Sequence, residues 1–71
     1  MENIEVKIDT EYIKLDQLLK YASVASSGRE AKLMIQNSEV LVNGEVCTMR
    51  GKKIRPGDKV SVFDNLSIEV K

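Results

Sequence analysis

Apolar residues change their period twice along this chain, and that change restricts the fold more than any other feature. In "NIEVKI", Ile4, Val6 and Ile8 alternate with Asn3, Glu5 and Lys7, the spacing of a half-buried strand. From Leu15 the period lengthens: Leu15, Leu18, Leu19 and Ala22 predict a short helix over 15–22. Ala31, Met34 and Ile35 form the apolar stripe of a second helix. Alternation then returns in "EVLVNGEV", "KVSVF" and "LSIEV". The expected order is one strand, two helices, then four or five short strands. That is an α+β fold, two short helices packed on a small, mostly antiparallel sheet to which the terminal strands add.

Local signals mark the boundaries. Ser27 followed by Glu30 reads as a capping box at the start of the second helix, and Asn37 as a left-handed cap after its last turn. Asn43-Gly44 suits a type I′ turn between Val40–Val42 and Glu45–Val46. Pro56-Gly57 suits the centre of a second turn, which Asp58 closes, and Asp64-Asn65 marks a third. Phe63 and Tyr21 are expected in the core, Cys47 is read as half-buried packing, and Asp16 is placed at the surface or in a local cap. A chain of 71 residues buries only about 60% of its unfolded surface, so residues 1–71 are read as a single domain with a thin core.

Several function classes fall away. The chain has no histidine and one cysteine, which removes a zinc site, a Cys–His nucleophile and an internal disulfide. No carboxylates form an obvious catalytic pair, and "GKK" lacks the first glycine and the hydroxyl of a phosphate-binding loop. The start has no secretory pattern, and no apolar run approaches the ~18 residues of a membrane span. The reading is a cytoplasmic, non-catalytic, monomeric protein with no cofactor, no metal, no membrane and no small-molecule substrate.

Charge points to the partner. Net charge is zero, yet residues 1–13 carry −3, residues 14–59 carry +4 and residues 60–71 carry −1. Arg50, Lys52, Lys53 and Arg55 crowd into six positions around Gly51, which leaves room for close backbone approach. Arg29, Lys32 and Gln36 share one face of the second helix, whose free N-terminal amides and positive dipole end favour phosphate. Gly28 sits in the first turn although Ala would favour the helix by about 1 kcal/mol, which suggests that something approaches there. Tyr12, Tyr21 and Phe63 are the only aromatics, too few for the stacking platforms that single-strand readers use. A cationic surface without platforms suits folded or double-stranded RNA.

The stretch from Ile13 to Val62 resembles the alpha-L RNA-binding domain, first known from small-subunit ribosomal protein number four and here called the S-four domain. The shared residues are Lys14-Leu15-Asp16, Ser26-Ser27, Glu30-Ala31, Ile35, Val40-Leu41-Val42-Asn43-Gly44 and Pro56-Gly57-Asp58, in family order. Two departures are informative: Gly28 stands where many members have arginine, with Arg29 one step later, and Ser38-Glu39 replaces a glycine before the hairpin. The combination with "RGKKIRPGD" is similar to the small stand-alone, YaaA/YbcJ-like bacterial branch. The resemblance implies an RNA-binding core over residues 13–63. It also implies an RNA-facing surface of Lys14, Ser27, Gly28, Arg29, Lys32, Arg50, Lys52 and Lys53, and structured RNA, including ribosomal RNA, as partner. The competing expectation is a protein-interaction adaptor or an accessory subunit in ribosome assembly or RNA modification.

Overall fold

The computed structural model describes residues 2–63 and 65–71. Nine elements follow in order: β1 (Glu2–Val6), β2 (Ile13–Lys14), α1 (Leu15–Tyr21), α2 (Gly28–Gln36), β3 (Val40–Val42), β4 (Glu45–Val46), β5 (Lys53–Ile54), β6 (Lys59–Val62) and β7 (Leu66–Val70). Five strands form a mixed sheet in the order β1-β7-β6-β3-β4, in which β1 runs parallel to β7 and the other pairs are antiparallel. β2 and β5 make a separate two-stranded ladder. The fold is α+β, as the two changes of period predict.

Register explains why one sheet face is apolar. Ile4 lies opposite Ile68, Ile68 opposite Val60, and Val60 opposite Val42, so four strands contribute to one row. With Val6, Val40, Val62 and Val70 they pack against Leu15, Leu18 and Leu19 of α1 and Ala31, Met34 and Ile35 of α2. Fully burying a valine, leucine, isoleucine or methionine of this set stabilises by roughly 1.5–3 kcal/mol. The outward set includes Ser61, Ser67, Glu5 and Glu69, and at the sheet edge Lys71 Nζ lies 3.4 Å from Glu5 and 3.9 Å from Glu69.

Both helices end in the same way. Ser23 N–H donates to Lys20 O and Val24 N–H to Leu19 O after α1; Ser38 N–H donates to Ile35 O and Glu39 N–H to Met34 O after α2. These are Schellman closures, and they require a left-handed residue just past the cap. Ser23 and Ser38, each at φ 61°, take that role. Asn37 does not, since its φ is −84°; the left-handed position falls one residue later than expected.

Two further expectations need correction. Tyr21 is 65% exposed and Phe63 52% exposed, so neither belongs to the core. Tyr21 closes α1 outside its inward stripe of Leu15, Leu18 and Leu19, and strand alternation sends Phe63 opposite to buried Val62 before the backbone turns at φ 55°. The expected Asp64-Asn65 turn includes Asp64, which lies outside the described residues. Elsewhere the turn chemistry is as expected. Asn43 (φ 52°) and Gly44 (φ 89°) form the hairpin turn, and Gly57 (φ 99°) occupies the left-handed place of the Arg55–Asp58 turn.

Candidate nucleic-acid interface

The two helix starts differ in what they leave open. At α1, Leu15 N–H donates to Lys52 O at 2.9 Å and Asp16 N–H to Arg50 O at 3.1 Å, while Gln17 N–H is taken by Asp16 Oδ1. The loop that carries the cations is therefore docked by its carbonyls onto the start of α1. A Lys52 N–H to Met49 O bond folds it into a tight turn. Because the carbonyls face inward, the exposed side chains of Arg50, Lys52 and Lys53 surround the entry to α1. Antiparallel pairing of β2 with β5 places Lys14 directly opposite Lys53. Like charges so placed repel. Lys53 Nζ sits 5.0 Å from the centre of the Tyr12 ring, a contact worth about 0.5–1 kcal/mol at an exposed site.

At α2 the amides remain available. Ser27 Oγ accepts from Glu30 N–H at 3.2 Å, and the first intrahelical bond is Ala31 N–H to Ser27 O. Among the described residues, the N–H groups of Gly28 and Arg29 have no partner. The capping box is only half formed, because the Glu30 carboxylate accepts from the Ser26 hydroxyl at 2.5 Å instead of reaching back to the Ser27 amide. Gly28 is not required by the fold: a Cβ there meets only Lys20 Cδ, at 3.9 Å. That contact also brings Lys20, at the end of α1, beside the start of α2.

The candidate cations thus fall into two groups. Lys14, Arg50, Lys52 and Lys53 gather at the start of α1, and Arg29 and Lys32 stand at the start of α2 with Lys20. The seven residues of α1 separate them, about 10 Å of helix. None of these side chains forms an ion pair among the described residues, whose acid–base contacts are those of Lys71. Lys32 is partly buried; the others are exposed. Gly51 has open space at its Cα and a backbone that any residue adopts, so nothing within the chain demands a glycine there.

A second assembly braces the loop from behind. Asp58 Oδ2 accepts from Arg55 N–H at 2.8 Å and Asp58 Oδ1 from Asn43 Nδ2 at 3.1 Å, while Asn43 Oδ1 accepts from Lys59 N–H at 3.0 Å. The hairpin turn is thereby tied to the Arg55–Asp58 turn. The Arg55 amide bond, then the Asn43 amide, then the nearby Lys52 and Arg55 charges hold the Asp58 carboxyl below its ordinary value. Asn43 is more than a turn residue.

The sequence profile of the S4 domain matches residues 6–71. The chain belongs to the S4 domain family. It is also 47% identical over 57 residues, 80% of each chain, to a Bacillus subtilis (strain 168) protein named "Probable ribosome maturation protein RlbA". Within this S4 domain, the sequence gives the positions of the cations but not four parts of their setting. Lys20 lies outside the apolar stripe of α1, where periodicity alone gives it no partner. Tyr12 as a seat for Lys53, and the Asn43–Asp58 tie, depend on partners far along the chain, and no local signal marks them. The β2–β5 ladder, two residues a side, is too short to show a period. No helix of the described residues is long and apolar enough to cross a membrane.

Proposed function

We propose that this S4 domain is a non-catalytic RNA-binding protein that takes structured or double-stranded RNA on the face formed by Lys14, Ser27, Gly28, Arg29, Lys32, Arg50, Lys52 and Lys53. Residues 13–63 are the binding core, and ribosomal RNA undergoing maturation is the target. Family membership and the ribosome-maturation name of the Bacillus relative support an RNA- or ribosome-related role. The observation that carries the reading is the pair of open amides at Gly28 and Arg29, flanked by cations that lack ion-pair partners among the described residues. Amides at a helix start and free cations are what phosphate oxygens take up. Phosphate contacts set register without reading bases, and the few aromatics fit a duplex-like target.

Binding to a structured ribosomal RNA fragment, measured across a salt series, tests this. With four to six phosphate contacts, the log–log slope is about −4 to −5. Arg29→Ala/Lys32→Ala/Lys52→Ala lowers affinity and flattens the slope by about 3, since each lost contact removes ~0.9. An unchanged slope in the triple variant refutes this surface.

A further inference from the structure

Behind the basic loop lies an open groove of about 920 Å³, between the hairpin with the segment that follows it and the segment from Lys52 through β5 to Asp58. Its volume is in the range of clefts that hold small ligands, about 300–1,000 Å³. The hairpin wall presents Glu45, Val46 and Met49, and the loop wall presents Lys52, Lys53 and Arg55. Val46 is 55% exposed and Met49 64% exposed, two large apolar side chains left wet beside three cations. The Asn43–Asp58 tie joins the two walls. It also engages Asp58, so that carboxylate already has two donors.

We infer that this groove takes one bulged, unpaired nucleotide of the duplex bound on the main face. The inference rests on the RNA-binding reading above. Lys52 and Lys53 belong to both surfaces, so an RNA strand leaving the duplex face meets the groove without crossing a gap. A paired strand presents phosphates, riboses and base edges but keeps its base faces stacked, which leaves Val46 and Met49 in water. An unstacked base has an apolar face that covers them, while its phosphate meets Lys52, Lys53 and Arg55. Glu45 sets the orientation: it repels the phosphate and accepts from the amino group of a base. Val46 adds main-chain groups, because its pair with Leu41 is flanked by the bonded Cys47–Val40 position and β4 is the last strand of the sheet.

The test uses two RNA hairpins of equal length, one fully paired and one with a single bulged cytidine, titrated by fluorescence anisotropy at one salt concentration. Wild type binds the bulged hairpin about fivefold tighter. Val46→Ser/Met49→Ser, both at exposed positions, removes that preference and leaves affinity for the paired hairpin unchanged. Equal binding of both hairpins by wild type overturns the groove inference while the RNA-binding reading stands. A preference that survives the double substitution places the bulge elsewhere and also overturns it. Failure to bind either hairpin sinks both readings. A photoreactive amino acid in place of Met49 separates the remaining occupant: crosslinking to RNA on ribosomal particles supports the inference, and crosslinking to protein alone refutes it.

Discussion

Gly28→Ala separates the needs of the fold from those of the ligand. The backbone at Gly28 is not left-handed, and a Cβ built there finds one neighbour, Lys20 Cδ at 3.9 Å, an ordinary contact. Nothing in the chain resists the methyl. Alanine restricts the unfolded chain and favours the helix, a gain of about 0.4–1 kcal/mol at a compatible position. For a domain of this size 1 kcal/mol moves Tm by roughly 4–8 °C, so the variant melts about 2–8 °C higher. Binding moves the other way. The methyl projects beside the open Gly28 and Arg29 amides, and crowding a packed contact by one methyl costs about 1 kcal/mol, roughly fivefold in Kd. Thermal melting by circular dichroism and RNA titration at fixed salt read the two effects on one sample. A higher Tm with unchanged RNA affinity refutes the idea that phosphate reaches the start of α2. A lower Tm refutes the account of the backbone.

Ser38→Gly and Ser23→Gly each raise stability by about 0.5–1 kcal/mol in chemical denaturation, because glycine takes φ 61° without the penalty a Cβ brings; no gain would mean that the serine side chains offset that strain. Asn43→Ala removes the bonds to Lys59 and Asp58 and places a Cβ residue without a compensating side chain at φ 52°, so it costs about 1–3 kcal/mol; a cost below 0.5 kcal/mol, as a rough limit, would show the tie to be idle. The depressed Asp58 pKa means that its contribution is present above the unfolded value of 3.8 and is lost as pH falls through the lower folded value. Asp58→Asn therefore makes stability less steep in pH below about 4. Urea melts between pH 2 and 6 read that slope, and an unchanged slope refutes the assignment.

Much of the fold was visible along the chain because its signals are local. The 3.6 and 2.0 periods set which side chains face inward, and Asn43-Gly44 and Pro56-Gly57 needed only their own backbone geometry. The cap at Asn37 was misplaced by one residue because serine is an unusual choice for a left-handed site, and only the closing bonds to Ile35 and Met34 reveal it. Tyr21 and Phe63 were assigned to the core from residue type, whereas position relative to Leu18, Leu19 and Val62 decides exposure.

The candidate surface divides in the same way. By itself, the sequence determined which residues are cationic, where glycine spares a side chain, and that Ser27 starts a helix; these are properties of residues and of their near neighbours. Only the tertiary structure decided that the Arg50–Lys52 carbonyls close the start of α1 while the start of α2 keeps two open amides. It likewise set Lys14 opposite Lys53 and tied Asn43 to Asp58 across fifteen positions of chain. Such contacts join segments that no periodicity links, and they form only when burial of the shared apolar face brings those segments together.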